Sequence, residues 1–274
     1  MSEELIKPLV KRFEYAMRLA ADVDQQLKAW VATQKPEFHV QFAPDRRSYE
    51  IKVTNLAYDE LLYQGRNMSA CIHDFRACLD NLAFALARLH KDPPDKPAKI
   101  YFPIFQDEQE YSDKTKPCLR QMPDKVKDAL KNIQPFNRKG DVVGNVSDGL
   151  PADDPLVLLN ELENSDKHRI PLAFSLLPEI IQFSKAVKFF TEESAAKAGP
   201  PQVNINLPLH EEVPFVTIAF NEPIEEAAGE FDVKTILVLQ TDTRVIPYQD
   251  QLLALGKYVQ LVLSYFAGNF GVQP

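Results

Sequence analysis

The run Met68-Ser69-Ala70-Cys71-Ile72-His73-Asp74-Phe75-Arg76-Ala77-Cys78-Leu79-Asp80-Asn81-Leu82-Ala83-Phe84-Ala85-Leu86-Ala87-Arg88-Leu89 decides the fold class. Met68, Ile72, Phe75, Leu79, Leu82, Leu86 and Leu89 step by 4, 3, 4, 3, 4 and 3, and a stripe that keeps such heptads needs helices packed along its length. A helix over 58–91 at the centre of a bundle is therefore predicted, ended by Asp92-Pro93-Pro94, because a proline removes a backbone donor and clashes with the preceding turn. Two further long helices can flank it. Residues 3–33 carry Ile6, Leu9, Phe13, Ala16, Ala20, Val23, Leu27 and Trp30 on one face, behind Ser2 as N-cap. Residues 248–270 carry Leu252, Leu255, Val259, Val262 and Phe266 at heptad spacing.

Between these helices the pattern changes period. Phe38–Ala43 and Tyr49–Asn55 alternate around Pro44-Asp45-Arg46-Arg47, which marks a β-hairpin. Strands are also expected at 203–209, 215–220 and 233–240. Residues 172–190 fit either strands or a short helix, 191–201 form a polar linker, and a short helix is expected near 124–134. Asp154 followed by Pro155 starts another helix that runs to 169 and stops at Pro171. Residues 136–154 hold three of the nine glycines and are read as a long loop, either a lid over a site or a plain connection. The expectation is an α+β fold in one domain spanning 1–274. Its bundle is drawn from 1–34, 57–91, 124–169 and 247–270, with a hairpin inserted at 37–55 and a small antiparallel sheet over 203–241.

Composition excludes several classes. No segment has the 18 or so uncharged apolar residues of a membrane helix, and Met1-Ser2-Glu3-Glu4 lacks a basic, apolar leader, so a cytoplasmic location without membrane partners is expected. Three cysteines cannot make a disulfide framework; Cys71 and Cys78, seven apart on one helix, would stand roughly 10 Å apart, beyond disulfide reach. They are expected as buried thiols. The formal net charge is −8. It is uneven: residues 1–150 hold 23 Lys+Arg and 22 Asp+Glu, a balance of +1, and residues 151–274 hold 8 and 17, a balance of −9. Seven acids and no cation fall in 211–232, a surface that repels nucleic acid. There is no P-loop, dinucleotide fingerprint, Gly-x-Ser-x-Gly elbow, His-Glu-x-x-His or Cys-x-x-Cys, and the five histidines do not fall at ligand spacings. No metal and no cofactor are expected.

Two clusters can carry chemistry. Asn160-Glu161-Leu162-Glu163-Asn164-Ser165-Asp166-Lys167-His168-Arg169 closes an apolar helix with an acid, an imidazole and two cations. Leu159, Leu162, Asp166 and Arg169 share one face, while Asn160, Asn164 and His168 share a polar row. In the functional reading His168 is an acid or base and Lys167, Arg169, Asp166 and Asn164 hold an anion such as phosphate. In the structural reading the cations complement the helix dipole, Glu163 pairs with Lys167, and Asp166 with Arg169 forms a buried tie. The second cluster is the polar stripe Arg66, Ser69, His73, Arg76 and Asp80, beside the Met68–Leu89 stripe. It is either a solvated face or a second helix interface, with Arg76 and Asp80 as an i, i+4 pair.

Arg66-Asn67 followed after five more residues by His73 resembles the signature of HEPN-type helical domains, in which an Arg and a polar residue are followed, after four to six intervening residues, by a His. Many such domains are metal-independent ribonucleases of toxin and antiviral systems. The resemblance implies an endoribonuclease with His73 or His168 as base and Arg66, Arg76 or Arg169 at the phosphorane, acting on RNA and assembling as a homo-oligomer. In that family the motif sits near a helix start and works across a dimer, whereas here it lies mid-helix. Arg76 to Leu82, Phe102-Pro103-Ile104, Ile133-Gln134-Pro135-Phe136 and Asp166-Lys167-His168-Arg169 together resemble a bacterial family without assigned function. In that family a His is common at the position of Asn81. Asn81 cannot transfer a proton, so at this position a ligand-binding role is expected, together with Asp80. The alternative to catalysis is a ligand-binding or oligomeric structural module whose polar stripes are buried ion-pair seams.

Overall fold

The structure is a computed structural model. It describes residues 3–56, 58–138, 150–168, 172–183, 186–209, 211, 213–228, 231–241, 245–248 and 251–270. The chain has an α+β fold in two compact units, and each unit is assembled from segments far apart in the sequence. Unit 1 comprises 1–25, 65–172 and 250–274; unit 2 comprises 26–64 and 173–249.

Unit 1 is helical. It contains the first part of α1 (Glu3–Thr33), most of α2 (Tyr58–Ala87), the short helices α3 (Glu108–Lys114), α4 (Lys116–Leu119) and α5 (Asp124–Asn132), then α6 (Pro155–His168) and α8 (Gln251–Phe270). The heptad stripe of α2 is fully buried from Met68 through Leu86, whereas Leu89 is exposed because α2 ends at Ala87 and the chain leaves the bundle there. Ala16 and Ala20 of α1 and Leu252, Leu255, Val259, Val262 and Phe266 of α8 are buried against it. Each buried leucine or phenylalanine contributes about 1.5–3 kcal/mol of transfer free energy. Cys71, Cys78 and Cys118 are free, buried thiols, and burial pushes the Cys71 and Cys78 thiols up to about 12. The loop expected over 136–154 is bounded by single 3-10 turns at Pro135–Asn137 and Pro151–Asp153, and 139–149 lie outside the described residues.

Helices approach closely at Gly256. A Cβ there would collide with Met17 Sδ and stand 2.8 Å from Phe75 Cζ. Met17 can swing aside, but Phe75 is fully buried. Gly256→Ala gains up to about 1 kcal/mol of helix propensity and loses about 1–3 kcal/mol to overpacking, so a net loss is expected. Gly268, on the same helix, has open space around its Cβ position. Gly268→Ala should therefore raise the urea midpoint while Gly256→Ala lowers it, and a gain at both positions would contradict the packing described.

Unit 2 is mainly sheet. The end of α1 leads into β1 (Glu37–Phe42) and β2 (Ser48–Thr54), and after the unit 1 segment come β3 (Ala173–Phe183), β4 (Ala186–Phe189), α7 (Glu192–Lys197), β5 (Gln202–Ile205), β6 (Val216–Ala219), β7 (Ile224–Ala228), β8 (Phe231–Gln240) and β9 (Val245–Pro247). These strands form three antiparallel sheets, ordered β1-β2-β6-β5, β3-β8-β9 and β4-β7. The hairpin inserted between α1 and α2 also joins the sheet: β2 pairs with β6, from Ser48 opposite Ala219 to Ile51 opposite Val216. Its turn residue Arg46 adopts φ 55, donates from Nε to Ile224 O at 2.8 Å and accepts from Ile224 N at 2.8 Å, which fixes the turn to β7. Within 172–190 the described residues form β3 and β4. The polar linker contains α7, for which Thr191 Oγ1 caps Ser194 N at 3.0 Å and Glu192, Glu193 and Lys197 suit the helix dipole.

The core of unit 2 lies on one face of the four-stranded sheet, where Tyr49, Ile51, Val53, Val216 and Ile218 alternate inward. Tyr58, half-buried, donates its hydroxyl to Leu209 O. Burial and the Glu211 carboxylate push its phenol from 10 up to about 12. Because the folded state holds this proton more tightly, the stability it confers is complete below pH 10 and is lost as pH rises through about 12. Tyr58→Phe should lower stability at pH 8 and flatten its decline above pH 10 in urea titrations, and a decline of unchanged steepness would remove Tyr58 as its cause.

Candidate functional site

The two sequence clusters meet on unit 1. The stripe on α2 faces α6, and the helices run antiparallel, since ascending positions on α2 meet descending positions on α6. Ser69 Oγ donates to Asp166 Oδ1 at 2.7 Å. One turn on, His73 Nδ1 lies 3.1 Å from Glu163 Oε1. A further turn on, Arg76 and Asn160 line one cleft of about 460 Å³, with Tyr101, Phe105, Glu110 and Lys114 on its other walls. Steps of 4 and 3 on α2 and of 3 and 3 on α6 keep these groups on facing sides of the two helices.

The His73–Glu163 rung is asymmetric. The Glu163 side chain is 4% exposed and the His73 side chain 59% exposed. A carboxylate only accepts, so the hydrogen of this bond sits on His73 Nδ1, which leaves Nε2 on the solvent side as the group able to take a proton. The Ser69–Asp166 rung is a neutral-donor hydrogen bond that holds the two helices one turn away.

Arg76 is committed to the fold. Its Nη2 donates to Asp80 Oδ1 at 3.0 Å and to Phe102 O at 2.8 Å, and Asp80 Oδ1 also accepts Phe102 N at 2.9 Å. The i, i+4 pair read from the sequence therefore has a third member, the connector backbone at Phe102, which is itself fully buried. Arg76 Nη1 is buried and has no hydrogen-bond partner among the described residues. Arg66, Asn81 and Asn164 are exposed. Lys167 and His168 occupy the last turn of α6, but their side chains, and Arg169 as a whole, lie outside the described residues, as does any tie from Asp166 to Arg169.

A second polar cluster was not foreseen beyond its cap. Asp154, 2% exposed, accepts Leu156 N at 2.8 Å with Oδ1 and Arg138 Nε at 2.5 Å with Oδ2, and Tyr258 of α8 donates to Oδ2 at 3.5 Å. The carboxylate and Tyr258 hydrogen bonds hold the Arg138 guanidinium above its ordinary range against a larger, opposing effect of burial. These groups border a cleft of about 320 Å³ whose outer wall is Leu261 and Tyr265. Among the described residues no three His, Cys, Asp or Glu side chains converge as metal ligands, and no helix is long and apolar enough to cross a membrane.

The sequence read Glu163 as a partner for Lys167 and so missed it as the carboxylate behind His73. Its step of three from both Asn160 and Asp166 was the available signal. No protein-family model matches the chain, and no curated protein and no solved structure matches it significantly, so the reading of this site rests on its own geometry.

Proposed function

We propose that the α2–α6 seam is an acid–base site that cleaves RNA without a metal, with His73 as the general base. The observation that carries this reading is the exposed imidazole oriented through Nδ1 by a buried carboxylate, the arrangement that fixes one tautomer and leaves Nε2 to work. In the reaction Nε2 removes the proton of a ribose 2′-hydroxyl, the oxygen attacks the adjacent phosphorus, and the bond to the 5′-oxygen breaks as that oxygen takes a proton from an acid. The products are a 2′,3′-cyclic phosphate and a 5′-hydroxyl. His168, on the facing helix, is assigned the acid. Arg66, exposed about 10 Å along α2 from His73, together with Lys167 and Arg169, is assigned the phosphate charge. Because Arg76 already serves Asp80 and Phe102, it holds the connector on α2 in this scheme rather than the phosphorane.

The test is incubation of purified protein with single-stranded RNA in excess chelator, with end-group analysis. Cyclic phosphate ends that vanish with His73→Ala support the reading. Absence of cleavage by the wild-type protein, or cleavage that His73→Ala and His168→Ala both leave intact, overturns it.

One observation favours the structural module instead. The ring formed by Arg76, Asp80 and Phe102, with Ser69–Asp166 beside it, is a polar seam that needs no substrate to explain it. On that reading Asp166→Ala lowers the melting temperature and RNA is untouched by any variant.

A further inference from the structure

Among the described residues, the edge of the four-stranded sheet lacks the usual protection. β5 is its terminal strand, and Val203 and Ile205 are paired only on the β6 side, opposite Ile218 and Val216. Asn206 N donates to Phe215 O at 2.8 Å. Backbone groups alternate along an antiparallel strand, so Gln202, Asn204 and Asn206 turn theirs to β6, while Val203 and Ile205 turn theirs to the open edge. The side chains of Val203 and Ile205 continue the apolar face formed by Ile218 and Val216, which are each 2% exposed. At β5 the cover stops: Val203, Ile205 and Leu207 are 50%, 49% and 52% exposed.

Edge strands normally repel pairing with a lysine, an inward charge or a bulge. This one has none. From Ala198 through Leu209 the chain carries no charged residue, and Pro200-Pro201 and Pro208 limit the open stretch to Gln202–Leu207 without placing a proline inside it.

We propose that β5 is the dimerisation edge, pairing antiparallel with β5 of a second copy of this chain about a two-fold axis at Ile205. The sequence selects that occupant because it is self-complementary in this register. Ile205 faces Ile205 of the second copy and Asn204 faces Asn206, while Val203 falls opposite Leu207 in the bend that follows β5, so apolar side chains meet apolar ones and amides meet amides. The open N–H and C=O of Ile205 are the groups a two-fold hydrogen-bonded pair requires, and the absence of charge means that two copies do not repel here, although the chain as a whole is at −8. The two four-stranded sheets become one sheet of eight.

Residues opposed in a hydrogen-bonded antiparallel pair have Cα atoms about 5.5 Å apart, within disulfide reach. Full-length Ile205→Cys should form a covalent dimer under mild oxidation, and Asn204→Cys, which faces Asn206 rather than itself, should do so at least about tenfold more slowly. The native thiols are buried and do not compete. By sedimentation the wild-type protein should be a dimer at micromolar concentration and Ile205→Lys a monomer with unchanged circular dichroism. A wild-type monomer at every concentration overturns the proposal and leaves the edge to a strand from another protein. A dimer that survives Ile205→Lys, or equal crosslinking at 204 and 205, overturns it in favour of another surface.

Discussion

Asp154→Ala is expected to lower the melting temperature by roughly 10 °C. Three contacts disappear together. The amide of Leu156 loses its N-cap acceptor, worth about 1 kcal/mol, and Tyr258 loses an acceptor. More costly is Arg138, 12% exposed, which keeps its charge but loses this carboxylate. Breaking a buried pair from one side costs about 3–5 kcal/mol, because the charge left behind loses an attraction that offset its desolvation. The three losses share one carboxylate and do not add, so about 3–5 kcal/mol covers the whole. Asp154→Asn keeps a cap and should recover the smaller part. Arg138→Met combined with Asp154→Ser removes both charges, retains a capping oxygen, and should recover most of the rest. Thermal melts of the three proteins decide the matter: a double variant no better than Asp154→Ala would mean that the cost does not lie in the broken Arg138–Asp154 pair.

The same carboxylate shows how far the sequence reaches. Asp154 before Pro155 announces a helix start because capping is decided within three residues, and α6 does begin at Pro155. Its partner Arg138 lies 16 positions back across the 139–149 segment, a distance at which no periodicity operates. The α2 heptads are legible for the same local reason, and every member up to Leu86 is buried. Pairing of β2 with β6 joins positions more than 160 apart, and hydrophobic alternation states which face is buried but not which strand lies alongside. α7 is a different case. Thr191, Glu192, Glu193 and Lys197 are local capping and dipole signals that a polar composition obscured.

The candidate site divides along the same line. Arg66, Ser69, His73, Arg76 and Asp80 fall on one face by spacing alone, and that stripe does form an interface. Which rung meets which depends on the rotation of α6 about its axis, a quantity set by packing of Leu156, Leu159 and Leu162 in the core. Rotation turned Glu163 toward His73 and left Asn164 exposed. Arg76 also acquired the backbone of Phe102, 26 positions away, through a connector whose path carries no repeating pattern.

On the proposed chemistry, His73→Ala should reduce chelator-resistant RNA cleavage by about 10²–10⁴-fold, the usual contribution of a positioned general base. The His73 side chain is more than half exposed, but its removal takes a donor from the buried Glu163 carboxylate and should cost about 1–3 kcal/mol of stability, so the loss of rate is assigned to chemistry only when counted per folded molecule. Glu163→Gln is the sharper companion. The amide can donate to Nδ1, which would place the imidazole hydrogen on Nε2 and leave no lone pair facing the 2′-hydroxyl. It should therefore lower kcat by about 10²-fold or more with KM nearly unchanged, since Glu163 is too buried to touch RNA. A purely structural Glu163 would behave otherwise: Glu163→Gln would change the melting temperature and leave the rate per folded molecule alone. Rates measured on the folded fraction, with circular dichroism as the control, separate the two. Equal rates for wild type, His73→Ala and Glu163→Gln would return His73 to the role of a surface residue that happens to cover a buried acid.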